Sequence, residues 1–575
     1  MSASVDRRAF LALAAALGVP LPGLTREAPD EALAGAGASP ITKEQVAAAE
    51  ALFGLEYTDA EREMVLRNLE NFLRNYDAIR KVPLENGVPP AFRFEPVPVG
   101  GAPRPQPKPT ATRRPVRRAP VAPPGSEPDW AYAGVATLSQ RIHARQVTSR
   151  QLVERSLARL TQYGPDLHCV INLTSDRALK QADLLDAEAK AGKFRGPLHG
   201  IPYGAKDLFA VPGYPTTWGS PIYQNQMLEQ TAAVVERLDA AGAVLVAKTS
   251  LGEFAQGDVW FGGMTRNPWN TEVGSSGSSA GSASGVSAGL FPFAIGTETL
   301  GSIVSPCSRC GVSGLRPTYG RVSRFGAMTL SWTMDKIGPI ARSAEDLALV
   351  FAAIHGADPR DPSSRTLPFD FDPALPLKQI RIGVHPAMTQ PAPAGNAAAA
   401  AALVLNQAVL DGMVKQGATL VPVTWPEELP ASALSLIISV EGAAVFDELT
   451  RTNQDDRMVQ QTAGAWPNTF RGGQLVPAVE YIQANRVRSR VIESLDKLYQ
   501  DVDVVIAPTN AGSVLTATNL SGHPTAVVPS GFSETGQPRA VTFVAGLWRE
   551  DLALRLAHAW QVASDVHTKR PPKFS

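Results

Sequence analysis

Residues 273–289 read VGSSGSSAGSASGVSAG, seven serines set among glycine, alanine and valine. A run of this composition can be a slack linker, because glycine and serine lack the bulk that holds a chain in one conformation. It also contains Gly277-Ser278-Ser279-Ala280-Gly281, which fits the G-x-S-x-G pattern of a hydrolase nucleophile elbow with Ser279 at its centre. An elbow needs a strand directly before the serine. The residues there, TRNPWNTEV at 265–273, carry Pro268 and polar side chains and predict a loop. An elbow also needs a later acid and a histidine, and His523, in NLSGHPTAVV, is the one histidine that stands before a β-like run.

On either side of the run the chain alternates between two patterns. Short apolar stretches at 243–247, 291–295, 380–384, 502–506 and 526–528 predict strands, and 401–414 and 552–563 among them predict helices. Such alternation predicts an α/β fold, a mixed and mostly parallel sheet covered by helices on both faces.

Three further stretches, taken in order, give the run its meaning. His199-Gly200-Ile201-Pro202-Tyr203-Gly204-Ala205-Lys206-Asp207 precedes it, Gly277-Ser278-Ser279-Ala280-Gly281-Ser282-Ala283 lies inside it, and Gly296-Thr297-Glu298-Thr299-Leu300-Gly301-Ser302-Ile303 follows. With GLRPTYGRVSRFGAM, DKIGPIARSAEDLA and NLSGHP they make the chain resemble the amidase signature family from about Ala133 to the C-terminus. The resemblance implies the amidase signature fold and hydrolysis of an amide carbon–nitrogen bond through an acyl-serine intermediate, with no cofactor and no metal. It implies Lys206 as base, Ser302 as nucleophile and a bridging serine on a cis peptide between them. The family sets that serine 24 positions before the nucleophile, which selects Ser278 over Ser275. It further implies an oxyanion hole from the backbone N–H groups of Thr299, Leu300, Gly301 and Ser302. Two positions depart from the common pattern: Leu300 stands in place of glycine, and Val304 in place of an arginine beside the acidic residue, which leaves Glu298 in need of another partner.

The chemistry accounts for these residue types. A serine hydroxyl is a poor nucleophile at neutral pH, so a base must take its proton during attack on an amide. A lysine can do so only when neutral, which requires a pKa well below its usual ~10.4. Phe254 is the candidate lining for a substrate pocket, with Trp260 and Trp269 as further aromatics near the catalytic loop; Lys248, in AVLVAKTS, is expected to be a surface or structural lysine at a strand end. Members of the family act on fatty acid amides, aryl amides, peptide C-terminal amides and nitrile-derived amides, and the fold does not choose among them. The expected substrate is a small-molecule or peptide amide. Rival readings are the catalytic component of a tRNA-dependent amidotransferase, an esterase or aryl acylamidase using the same site, and a catalytically dead binding protein. All three triad positions are filled, which argues against the last.

The rest of the chain bears on location and partners. A formal net charge of +0 gives no electrostatic footprint for nucleic acid. Arg7-Arg8 precede an apolar run at 9–21 that is too short to span a bilayer comfortably, and small-residue sites follow at 34–36 and 36–38. Residues 1–38 therefore resemble a twin-arginine export signal, which predicts a periplasmic or secreted enzyme with no membrane span in its mature form. Residues 39–95 form a predicted helical segment. Thr42-x-x-Gln45 and Thr58-x-x-Glu61 are capping boxes, and Val65, Leu69, Phe72, Tyr76 and Ile79 make one apolar stripe. This segment resembles the small C subunit of the tRNA-dependent amidotransferases, and its stripe predicts docking on a larger body. Residues 96–129, with PRPQPKPTATRRPVRRAP at 103–120, read as a basic, Pro-rich linker to an amidase domain at 130–575. Cys169, Cys307 and Cys310 cannot make a disulfide framework, although Cys307 and Cys310 are spaced for a local bridge. The sequence leaves a homodimer open.

Overall fold

Successive side chains of a strand point to opposite faces, so a strand apolar at every position must be covered on both. Phe293 and Ile295 join one core cluster and Ala294 between them another. Val504 and Ile506 part in the same way from Val505 and Ala507, and Ala526 and Val528 from Val527. The continuous apolar runs of the sequence are thus the signature of a sheet buried between two layers.

The computed structural model describes residues 41–53, 59, 127–462, 464–474, 476–509, 511 and 514–575. The chain divides into two units, Met1–Pro83 and Leu84–Ser575. In the first, helix Lys43–Phe53 starts at the predicted capping box. The Thr42 N–H donates to Gln45 Oε1 at 2.8 Å and the Gln45 N–H to Thr42 Oγ1 at 3.3 Å. The export signal, the second capping box, the apolar stripe and the Pro-rich linker up to residue 126 lie outside the described residues, and the last three residues of the predicted linker fall in a short helix, Glu127–Ala131.

The second unit is built on an eleven-stranded sheet. Its strands are β1 (Val170–Leu173), β2 (Pro202–Lys206), β3 (Val244–Thr249), β4 (Phe293–Glu298), β5 (Ser313–Arg316), β6 (Lys336–Ala341), β7 (Ile382–Val384), β8 (Leu420–Pro422), β9 (Val504–Pro508), β10 (Thr525–Phe532) and β11 (Pro538–Ala545). Across the sheet they lie in the order β1-β3-β2-β4-β6-β5-β10-β11-β9-β7-β8. Six of the ten pairings are antiparallel and four parallel, so the sheet is mixed, as expected, but its balance corrects the expectation of a mostly parallel one. The reason is insertion. Strands β4 and β5, joined by a helix, do run parallel to each other, yet β6 enters between them and is antiparallel to both. Strands β10 and β11 are joined by a turn too short for a crossover and must pair antiparallel.

Helices cover both faces. Helix α1 (Ser149–Leu167) begins at a further capping box, Thr148 with Gln151, and α2 (Ser175–Lys190) follows β1. Helix α3 (Ala280–Ser287) and α4 (Val304–Cys310) flank β4. Helix α5 (Ala397–Lys415) is apolar and long enough, by length and composition, to cross a membrane. It buries Val409, Leu410 and Met413, and its Gly412 faces the Trp560 ring of α6 (Glu550–Ser564).

Candidate active site

The serine-rich run is constrained throughout. The Gly277–Ser278 peptide is cis, and a Cβ on Gly277 would lie 1.7 Å from the Gly257 carbonyl oxygen, so only glycine fits. From Ala280 the chain enters α3, whose eight small residues are all buried. Most of the serines are structural. The hydroxyls of Ser282, Ser284 and Ser287 donate to the carbonyls of Ile295, Arg266 and Cys310 at 3.1, 2.8 and 2.7 Å. The preceding TRNPWNTEV is a short hairpin, Arg266–Asn267 against Asn270–Gly274, rather than the predicted loop. It stands outside the main sheet, so no sheet strand leads into Ser279 as an elbow requires. The Ser279 hydroxyl donates to the Thr297 carbonyl at 3.0 Å and accepts from the Thr297 N–H at 3.1 Å. The side chain is fully buried in that role. His523 bonds Ser521 Oγ at 2.8 Å and stacks on Tyr499.

Lys206 ends β2 and is wholly buried. Its Nζ stands 2.8 Å from Ser278 Oγ, 2.8 Å from Thr297 Oγ1 and 3.3 Å from Ser279 Oγ. Burial pushes its pKa down to about 7, against the pull of Asp335 and Glu298. A carboxylate in contact would favour the charged amine, but no ion pair to Lys206 occurs among the described residues. The neighbouring acid, Asp207, is occupied elsewhere. It pairs with Lys248 at 2.7 Å and accepts the Thr217 N–H and hydroxyl at 2.8 and 2.5 Å. Lys248 is therefore structural and not at the surface: it is fully buried and also donates to Thr216 Oγ1 at 2.6 Å.

Ser302 follows β4 in a loop shaped by its acids. Its carbonyl accepts the Ser279 N–H at 3.0 Å, which sets the segment at 278–279 against it. Gly301 has φ +89°, a left-handed conformation that glycine adopts at no steric cost. None of the N–H groups of Thr299, Leu300, Gly301 and Ser302 is hydrogen-bonded to another described residue. The next two are taken: Ile303 and Val304 donate to Glu298 Oε2 at 2.8 and 2.9 Å. Glu298 Oε1 accepts from Arg316 at 2.8 Å and from Asn519 at 2.8 Å. Burial alone would raise this carboxyl, but the Arg316 guanidinium beside it and these hydrogen bonds hold it at about 2. The partner missing at Val304 is thus supplied from β5, 18 residues beyond Glu298. Asp335 Oδ1 fixes the other end of the loop by accepting the Thr299 hydroxyl at 2.6 Å.

The remaining candidates take structural places. Phe254 is fully buried, its ring packed on Phe446 at 4.5 Å, so its side chain belongs to an aromatic cluster. Trp260 and Trp269 donate their indole N–H groups to the carbonyls of His168 and Cys310 at 3.2 and 2.9 Å. Cys307 and Cys310 are buried free thiols on α4, which leaves the possible bridge unformed. Sequence reasoning missed Thr297, Arg316, Asn519 and Asp335. All four lie within stretches that carry the resemblance, Thr297 in the third motif, Arg316 in GLRPTYGRVSRFGAM, Asp335 at the start of DKIGPIARSAEDLA and Asn519 at the start of NLSGHP, but no spacing rule gave them a role.

A family model described as amidase matches residues 151–518. The chain is 33% identical over 485 residues to the A subunit of glutamyl-tRNA(Gln) amidotransferase from Chloroflexus aggregans, covering 76% of this chain and 98% of that one. It is 34% identical over 494 residues to the corresponding protein of Cupriavidus necator, covering 76% and 97%. Among solved structures, native peptide amidase from Stenotrophomonas maltophilia superposes with a TM-score of 0.68 at 30% identity, covering 78% of this chain and 99% of that one.

Proposed function

This chain belongs to the amidase signature family and hydrolyses an amide carbon–nitrogen bond, and from that premise we propose that it does so through an acyl-enzyme on Ser302, with Ser278 and Lys206 as its proton relay. The carrying observation is the 2.8 Å contact between two fully buried groups, Lys206 Nζ and Ser278 Oγ, in a place where the lysine's pKa falls to about 7.

Neutral Lys206 accepts the Ser278 proton while Ser278 Oγ accepts that of Ser302, whose oxygen attacks the amide carbon. Charge develops on the carbonyl oxygen. The unclaimed N–H groups at 299–302 are suited to receive it, and such donors each contribute about 2.7–4 kcal/mol to the transition state. The relay then reverses. Lys206 returns the proton through Ser278 to the departing nitrogen, the C–N bond breaks, and the acyl group stays on Ser302. A water molecule, deprotonated through the same relay, attacks the acyl ester, and Ser302 leaves with its proton restored.

The amidotransferase relatives support a second reading, in which the amide is that of glutamine. A hydrolysis screen of the purified chain across fatty acid, aryl, peptide C-terminal and nitrile-derived amides and glutamine tests both. Turnover of one of the first four classes, lost in Ser302→Ala, supports the amidase. Turnover of glutamine alone favours the second reading. Equal turnover by Ser302→Ala contradicts the proposed site. We propose, from Arg7-Arg8 and the apolar run behind them, that the enzyme is exported by the twin-arginine route.

A further inference from the structure

Beside the catalytic loop lies a cavity of about 20 Å³, enough for one small group. Its walls include Thr297, which holds the Lys206 amine, and Thr299, which opens the segment of unclaimed N–H groups. The lining also includes the apolar side chains of Leu208 and Met328 and a basic residue that the mechanism leaves unused, Lys336.

Lys336 stands on β6 directly across from Glu298 on β4 and is only 3% exposed. Its Nζ donates to the Met334 carbonyl. The nearby carboxylates are committed to other donors. Glu298 serves Arg316, Asn519 and two backbone N–H groups, and Asp335 serves Thr299 and the N–H groups of Leu330 and Ser331. An amine carries more donors than the single carbonyl accepts, and a buried donor without a partner is costly. Burial also pushes the amine well below its usual pKa. Asp335 and Arg324 also line the cavity, so its walls carry both an acid and a second base. The chemistry that fits a donor at this place is a small group bearing an accepting oxygen.

We propose that this cavity is a subsite for the acyl portion of the substrate, in which Lys336 selects a short acyl group carrying a hydroxyl or carbonyl oxygen. The assignment rests on Ser302 as the nucleophile. A site built to hydrogen-bond an oxygen discriminates strongly against an analogue that lacks it, whereas an apolar pocket hardly distinguishes the two.

The test compares glycolamide with propionamide, which differ by a hydroxyl in place of a methyl, on the full chain. The wild type is expected to favour glycolamide by about tenfold or more in kcat/KM. In Lys336→Met that ratio falls to near one, whatever happens to the rate on each amide, and Lys336→Gln, which restores a side-chain donor, recovers part of it. Because the readout is a ratio, a fraction of misfolded variant cancels. A wild-type ratio near one, or a ratio unchanged in Lys336→Met, overturns the subsite. So does fluorophosphonate labelling of Ser302 without turnover of either amide. Labelling that falls elsewhere than Ser302 overturns the nucleophile reading instead.

Discussion

Single residues set the chemistry, and Lys206 gives it a measurable pH dependence. Its folded pKa of about 7 lies below the ordinary 10.5 because burial disfavours the charged amine. In the proposed relay the base is the neutral form of Lys206, so kcat/KM is expected to rise as pH passes upward through about 7 and then level off. The same group makes stability depend on pH. Between about 7 and 10.5 the unfolded chain holds a proton on this lysine that the folded chain does not, so its contribution to stability rises with pH across that window. A flat activity profile from pH 5 to 9 in a buffer series would contradict the assignment. Lys206→Ala should lower turnover by about 10²- to 10⁴-fold, as loss of general-base catalysis does, and leave a residual rate that climbs with pH as hydroxide takes over. Ser278→Ala should slow an amide far more than the matching ester, because an amine, unlike an alkoxide, does not leave without the proton that the relay returns. Equal losses on the two substrates would argue against proton return through Ser278.

At the scale of elements, the catalytic loop works because helices and strands on either side leave it no freedom. Gly277→Ala places a methyl group against the Gly257 carbonyl and must shift the Ser278 loop. Turnover is expected to fall at least about 100-fold, since displacement by an ångström at a reacting group costs that much, with a smaller change in the melting curve. Thr299→Val removes the hydroxyl held by Asp335 at 2.6 Å but keeps the backbone N–H. It should lower kcat with little change in KM, and Thr299→Ser should restore it; a drop in melting temperature with kcat intact would make the contact structural only. These elements also show what can be read from sequence. The proposed triad, Lys206, Ser278 and Ser302, sits in motifs that the family resemblance singles out, and the strands at 243–247 and 502–506 are visible as apolar runs. The Arg316 that replaces a missing neighbour of Glu298, on a strand one place removed from β4, and the Asp335 that holds Thr299, just before β6, reach the site through the order of strands in the sheet, which periodicity does not encode. Nor does it reveal that β6 enters between β4 and β5, so the antiparallel majority of the sheet is not legible in the pattern of runs. The surface alternative for Lys248 and the pocket role for Phe254 fail for a related reason: burial at the end of a strand or in a cluster depends on what packs above it.

For the whole molecule, the proposed journey and the proposed chemistry are separable. A tagged Arg7→Lys, Arg8→Lys variant should accumulate in the cytoplasm while keeping full activity there, because this route carries proteins already folded. Wild-type protein found wholly cytoplasmic and unprocessed on fractionation would remove the export proposal and leave the catalytic one untouched. The central claim is that one serine of the many in this chain carries the acyl group. Treating the full chain with a fluorophosphonate and locating the adduct by peptide mass spectrometry tests it most directly. The account predicts a single adduct on Ser302, lost in Ser302→Ala and slowed in Lys206→Ala. An adduct on Ser279, or one that persists in Ser302→Ala, would contradict it.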